Sequence, residues 1–254
     1  MFQHDEIVPS PASGKPKKQQ VAEMFNDIAG RYDLMNRFLS AGIDVYWRKA
    51  AINQLKPLQP ARILDIATGT GDLAIMAAGQ FPGSQISGID ISTGMLERGR
   101  KKIANLLLNK QIELLEGDSE AINFEDGTFD AITVAFGVRN FANLEKGIGE
   151  MHRVLKPGGK AVILEFSKPC QRIFRGLYNF YMKLIAPGIA SWVTKNKEAY
   201  QYLHNSVKAF PEGEQFLHVL QQCGFKDISL KRLSLGICTI YCGTKTSGQK
   251  HSLV

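Results

Sequence analysis

Two carboxylates and a run of small residues carry the clearest chemistry in this chain. Ile63-Leu64-Asp65-Ile66-Ala67-Thr68-Gly69-Thr70-Gly71-Asp72 runs from a buried-type strand through glycines into the start of a helix. Glycines there let the backbone approach a ligand closely, because no Cβ stands in the way. About twenty residues further on, Gly88-Ile89-Asp90 ends the next apolar run. A carboxylate at that spacing accepts hydrogen bonds from both hydroxyls of a ribose, so a nucleoside is the implied ligand. Glu116-Gly117-Asp118-Ser119 ends the run after that. Sheet order puts this loop beside the same site, where Asp118 is an acceptor for an adenine; an ordinary polar turn accounts for it equally well.

Charge bears on which nucleoside. Gly69-x-Gly71-x-x-Ala74 also satisfies the relaxed dinucleotide fingerprint, so NAD competes. That fingerprint offers a helix N-terminus to a pyrophosphate, which Asp72 would repel. Asp65 adds a second carboxylate, suited to a cationic ligand. S-adenosylmethionine carries a sulfonium and an ammonium and no phosphate, and tolerates both acids. An acidic residue that merely complements the helix dipole explains Asp72 and leaves Asp65 without a reason. The pattern favours the methyl donor over the dinucleotide.

These residues need a scaffold, and the apolar pattern supplies one. Strand-like runs at 62–67, 85–91, 111–116, 129–136 and 160–166 alternate with helical stretches at 72–80, 93–108 and 144–155. That alternation predicts an α/β fold, a mostly parallel sheet with helices on both faces. Residues 21–38 and 44–55 read as helices before the sheet, the first interrupted by Gly30. A helix near 212–223 precedes strands at 225–233 and 235–244, joined too closely for a crossover and hence antiparallel. Residues 1–18, with three prolines and three lysines, read as a flexible lead-in; 19–246 form one domain; 247–254 are a tail.

Composition narrows the class further. A chain of 254 residues suits one α/β domain with additions. The formal net charge of +7 favours anionic partners, either nucleic acid or an acidic membrane face, although a solvated surface also accounts for it. Cys170, Cys223, Cys238 and Cys242 form no C-x-x-C pair and read as reduced thiols. The five histidines are scattered, with no metal spacing, and no metal is expected. Neither a signal peptide nor a membrane span is expected.

Longer motifs resemble a known family. Tyr32-Asp33-Leu34-Met35-Asn36-Arg37-Phe38-Leu39-Ser40-Ala41-Gly42 with Trp47 is similar to the N-terminal motif of the quinone-biosynthesis C-methyltransferases. Phe136-Gly137-Val138-Arg139-Asn140 and Leu164-Glu165-Phe166-Ser167-Lys168-Pro169 match two further segments of that family, over a span of about 21–244. Arg153-Val154-Leu155-Lys156-Pro157-Gly158-Gly159 matches as well, though methyltransferases in general share much of it. The resemblance implies a Rossmann-like class I fold, a seven-stranded sheet whose last hairpin supplies one antiparallel strand. It implies S-adenosylmethionine as donor, bound at Thr70, Asp90, Asp118 and Ser119, with Gly69 and Gly71 shaping the loop. Many members carry His where this chain has Asp44, which removes that position from the catalytic candidates.

The implied reaction is C-methylation of the ring of a polyprenylated quinol, foremost demethylmenaquinol to menaquinol, with the benzoquinol step of ubiquinone synthesis beside it. Such chemistry needs the ring positioned, the developing phenolate stabilised and protons removed. Arg139 is the first candidate to bind the phenolate oxygen; Tyr32, Asp33 and Asn140 follow. Structural readings stand beside these: Tyr32 in a core, Asp33 as a helix-end group, Arg139 paired with Asp65 or Glu165. The aromatic, basic stretch 171–210 reads as a helical cover over the quinol head, touching the membrane that holds its tail. The expected location is cytoplasmic, visiting the inner membrane face, with no nucleic-acid partner, and a homodimer is compatible with it. Alternatives are another small lipid or phenolic acceptor, an NAD-linked dehydrogenase, and an RNA-binding module, for which the sequence holds no motif.

Overall fold

The computed structural model describes residues 2–40, 42–168 and 197–246. In chain order the elements are α1 (Lys17–Ile28), α2 (Tyr32–Leu39), α3 (Ile43–Ile52), β1 (Arg62–Ile66), α4 (Asp72–Gln80), β2 (Gln85–Asp90), α5 (Thr93–Asn105) and β3 (Ile112–Glu116). Next come β4 (Phe129–Ala135), α6 (Leu144–Val154), β5 (Leu155–Phe166), α7 (Lys197–Ala209), α8 (Glu214–Gln222), β6 (Lys226–Leu233) and β7 (Cys238–Thr244).

Period-two alternation in the central strands sets the layers. Ile63, Ala131, Val162 and Leu164 turn to one face, where Trp47, Ala51, Ile52, Leu73, Ala77 and Ile103 of α3, α4 and α5 cover them. Leu64, Ile66, Ile132, Val134, Ala161 and Ile163 turn to the other, against Ile148 and Met151 of α6 and Phe216 and Val219 of α8. Strands buried on both faces read as near-continuous apolar runs, which is why β1, β4 and β5 stand out in the sequence. Each fully buried aliphatic side chain contributes about 1.5–3 kcal/mol, so these faces anchor the fold.

The sheet order is β3-β2-β1-β4-β5-β7-β6, parallel except for β7, which runs antiparallel to both β5 and β6. From β1 the chain winds outward to β3 and then returns to place β4 on the other side of β1. At that reversal the connections diverge and leave a crevice at the carboxyl ends of the strands. A third cluster, Val21, Met24, Ile28 and Ala29 with Met95, Ala199 and Tyr202, packs α1 and α7 near that end.

Three expectations about the flanks need revising or bounding. The single helix at 21–38 is two helices, α1 and α2, separated at Ala29-Gly30-Arg31. A Cβ at Gly30 would stand 3.1 Å from the Arg98 guanidinium, so the junction sits directly on α5. Within the lead-in, α1 already begins at Lys17, and His4 is fully buried with its ring edge-on to Phe210. Of the cover at 171–210, residues 171–196 lie outside the described residues, as do Cys170 and the tail at 247–254. Cys238 and Cys242 are buried free thiols and Cys223 is a half-buried one.

Candidate active site

Asp90 organises the floor of the crevice. Its Oδ2 accepts the Gly69 N–H at 2.8 Å and its Oδ1 the Ser92 N–H at 2.8 Å. Each oxygen keeps a lone pair for a further donor. Enclosure pushes the carboxyl upward from its usual value, against the pull of those backbone amides. The loop after β1 reaches Asp90 because Ala67 and Gly69 both adopt positive φ, 52° and 57°. Gly88 is required beneath it: a Cβ there would lie 2.5 Å from Leu114 Cδ2 and 2.9 Å from Thr68 Oγ1.

Around Asp90 opens a cleft of about 650 Å³, open solvent included. Gly69, Ile91, Met95, Asp118 and Ser119 line it, as do Tyr32, Phe136, Gly137 and Asn140, together with Val21 and Phe25 of α1. Asn26 fastens α1 in place, its Oδ1 accepting from Ser92 Oγ at 2.7 Å and the Gly94 N–H at 2.9 Å. The cation lining the cleft is Lys18, and it is spent on acids: Nζ lies 2.6 Å from Asp118 Oδ2 and 2.8 Å from Glu120 Oε2. Glu120 in turn accepts the N–H groups of Ala142 and Asn143 at 2.8 and 2.9 Å, joining α1 to the loop after β3 and the loop before α6.

Not every expected residue faces this cleft. Asp65 is buried under the loop, 1 % exposed, and accepts from Thr68 Oγ1 at 2.6 Å and Thr133 Oγ1 at 2.8 Å. Burial pushes its carboxyl up to about 6, with those hydroxyls opposing. It braces the loop and does not line the cleft: residues 63 and 65 share the sheet face covered by α3, α4 and α5. Asp33 points away from the cleft as well. Thr70 Oγ1 donates to Asp33 Oδ1 at 2.6 Å, and Lys102 Nζ reaches Asp33 Oδ2 at 2.8 Å, Thr70 Oγ1 at 3.0 Å and Asp72 Oδ1 at 2.6 Å. Asp72 is therefore neutralised by Lys102, and its repulsion of a phosphate is weaker than the bare sequence implies. Gly71, at φ 79°, caps α4 beside Ile103 and Leu114.

Arg139 follows the pairing alternative. It is 4 % exposed and donates from Nη1 to Glu165 Oε1 at 2.7 Å and to the Phe136 carbonyl at 2.6 Å, with its guanidinium over the Phe166 ring. The residue it holds, Phe136, has φ 59°, and its ring stacks on Phe166 at 4.4 Å. Non-glycine residues in that region are strained and persist only where surroundings hold them. Gly137 follows under the same crowding, since a Cβ there would sit 2.5 Å from Ala67 Cβ. Arg139 thus shapes the wall, while Asn140 lines the cleft and accepts from the buried Tyr202 hydroxyl at 3.2 Å. Tyr32 lines it too, edge-on to Phe25, and enclosure raises its phenol above the ordinary value, so the hydroxyl keeps its proton. Asp44 is buried and bonded by Ser40, Arg37 and Arg48; burial opposes its ionisation, but these partners hold its carboxyl below the usual range.

The residues present fit S-adenosylmethionine. An acid with lone pairs free for a ribose stands at the end of β2, an acceptor loop ends β3, and apolar side chains flank the space between them. Among the described residues the lining acids, Asp90, Asp118 and Glu120, outnumber the lining cation, Lys18, a balance unfavourable to a phosphate. Val21, Phe25, Met95 and Glu120 were not singled out from sequence; the first two stand at helical spacing in α1, a weak signal.

Sheet order and site together define the class, an S-adenosylmethionine-dependent methyltransferase. Solved structures share the fold. A putative S-adenosylmethionine-dependent methyltransferase from Methanococcus maripaludis superposes with a TM-score of 0.64 at 23% identity, covering 89% of this chain and 96% of its own. The [4+2]-cyclase SpnF superposes at 0.66 with 17% identity, covering 92% and 98%. The family is narrower: residues 14–245 match the ubiE/COQ5 methyltransferase family, and the chain belongs to it. A demethylmenaquinone methyltransferase of Bacteroides fragilis is 44% identical over 96% of this chain and 99% of its own length. A ubiquinone/menaquinone biosynthesis C-methyltransferase of Geobacter sp. strain M21 is 46% identical over 90% and 97%.

Proposed function

We propose that this enzyme methylates a ring carbon of a polyprenylated quinol, with demethylmenaquinol as the substrate and menaquinol as the product. The observation that carries the reading is the 44% identity with the Bacteroides fragilis enzyme across 96% of the chain. The Geobacter relative's name adds the benzoquinol of ubiquinone synthesis as a second substrate to test.

When bound, S-adenosylmethionine supplies an electrophilic methyl group. Asp90 holds the ribose hydroxyls, Ser119 and the Asp118 loop the base, and the Gly69 turn shapes the backbone beneath. The chain's own part in the chemistry is to orient the quinol and lower the energy of its phenolate. Tyr32, kept protonated, donates to the quinol oxygen that gains charge. Asn140, aimed by Tyr202, offers its amide to a ring hydroxyl. Arg139 acts at one remove, holding Phe136 and Gly137 in the strained turn that forms the wall behind the ring. Val21 and Phe25 exclude water from above, which strengthens every hydrogen bond inside.

The test is the quinone profile of a strain lacking this protein. The expected result is accumulation of a demethylated menaquinone or ubiquinone precursor, reversed by the wild-type gene and not by Asp90→Ala. An unchanged profile in a strain with no second copy overturns the quinol reading.

A further inference from the structure

Seven large apolar side chains are exposed among the described residues, and five of them gather beside the cleft. Leu34 stands on α2, two residues beyond Tyr32, and is 53% exposed; Ile43, Val45 and Tyr46 begin α3, Tyr46 at 59%. Leu235 is 55% exposed in the turn between β6 and β7. That turn is tied to α3, since Trp47 Nε1 donates to Ser234 Oγ at 2.8 Å, which brings Leu235 next to the Tyr46 end of the helix. Leu233 and Cys238, which flank the turn, pair at the level of Phe166, the carboxyl end of β5. All five therefore lie at the end of the sheet where the cleft opens. The other two, Leu106 and Leu107, follow α5.

Exposure of this kind is costly to a soluble surface, and at Leu235 the backbone adds to the cost. Its φ is 60°, a region where glycine or asparagine is the ordinary choice. A branched apolar residue in a left-handed turn, pointing into water, serves neither the fold nor the turn. Charge around the patch has one sign in excess. Residues 31–49 carry Arg31, Arg37, Arg48 and Lys49 against Asp33 and Asp44 alone. Arg48 is buried against Asp44, and Lys102 holds Asp33, so the exposed cations of this segment include Lys49 and Arg37, the latter shared with Asp44.

We infer that the α2–α3 hairpin and the β6–β7 turn form a membrane-docking face that seats the enzyme on an anionic lipid surface. The inference rests on the proposed quinol substrate, whose polyprenyl tail stays in the bilayer. Leu34, Ile43, Tyr46 and Leu235 enter the headgroup boundary, and the exposed Arg37 and Lys49 beside them meet the acidic lipids. Tyr32 and Leu34 share one helix, so docking brings the cleft wall to the surface from which the quinol head must be drawn. This assigns the contact to the N-terminal hairpin and the last turn, distinct from the aromatic stretch at 171–196.

The experiment is flotation of the full chain with phosphatidylcholine vesicles, with and without phosphatidylglycerol. The wild type is expected to float with the phosphatidylglycerol vesicles, less so as salt is raised. Leu34→Glu/Tyr46→Glu/Leu235→Glu is expected to lower partitioning at least about tenfold. Leu107→Glu, just past the end of α5, is the control and leaves it unchanged. In parallel, turnover of a short-tailed, detergent-dispersed quinol is measured, and the triple variant retains it. Equal flotation of triple variant and wild type overturns the inference. So does a wild-type dimer in solution that the triple variant alone breaks, since the face then pairs two copies. Loss of turnover by every protein, with flotation following the pattern above, removes the quinol substrate and leaves the docking face.

Discussion

Replacing Arg139 with Met separates a wall-building residue from a catalytic one. Arg139 and Glu165 are 4 % and 0 % exposed and joined at 2.7 Å. Removing the guanidinium leaves a buried carboxylate whose remaining partners are backbone N–H groups, Phe166 at 2.8 Å and Arg139 at 3.4 Å. Breaking a buried pair from one side costs about 3–5 kcal/mol, which for a domain of this size lowers the melting temperature by roughly 6–20 °C. Arg139→Met/Glu165→Gln removes the orphaned charge while keeping an acceptor for those N–H groups, and recovers all but about 1 kcal/mol. Thermal unfolding and methyl transfer are measured on wild type, both single variants and the double. Recovery of stability in the double variant is expected to bring back at least about a tenth of kcat/KM, a residual loss under about 1.4 kcal/mol. An Arg139→Met protein within about 0.5 kcal/mol of wild type but inactive would refute the positioning role and return Arg139 to the reacting atoms.

Other outcomes follow from the same contacts. Asp90→Asn keeps the shape but loses the charge at the ribose; affinity for S-adenosylhomocysteine, read by calorimetry, is expected to fall about 10–150-fold, corresponding to roughly 1.5–3 kcal/mol. Asp65 has its folded carboxyl raised to about 6 from 3.8, so the native state holds the extra proton, and stability present below the unfolded value is lost as pH rises through the folded one. Denaturation of wild type against Asp65→Asn should therefore shift toward the variant by about 3 kcal/mol between pH 4 and 7; a difference independent of pH contradicts this. Lys102→Met releases Thr70, Asp33 and Asp72 together and is expected to lower kcat/KM about tenfold, with Lys102→Arg restoring part of it. Gly137→Ala drives a Cβ to 2.5 Å from Ala67 and is expected to destabilise by about 1–3 kcal/mol, measured by urea unfolding.

The parts of this protein readable from sequence are those where one residue type answers to one local demand. Buried-strand runs at β1, β4 and β5 mark the sheet, glycines 69 and 71 the turn, and Asp90 the floor of the cleft, because each depends on near neighbours. Side-chain direction at a strand end was not readable in the same way. Asp65, one residue inside the end of β1, and Asp90, which ends β2, are both acids, yet one lies beneath the loop at 1% exposure and the other lines the cleft. The difference is set by Thr68 and Thr133, the second of which comes from β4, 68 residues away. Asp33 and Arg139 were placed at the chemistry for their type; Lys102 and Glu165, distant in sequence, hold them elsewhere. Lys18 and Glu120 left no mark at all, since their meaning lies in a contact between α1 and the loop after β3.

Purified enzyme incubated with methyl-labelled S-adenosylmethionine and detergent-dispersed demethylmenaquinol tests the central claim most directly. The account predicts label in menaquinol, on a ring carbon, lost with Asp90→Asn and reduced with Tyr32→Phe. Label on a quinol oxygen, or none in any quinol while the donor still binds at Asp90, would contradict it.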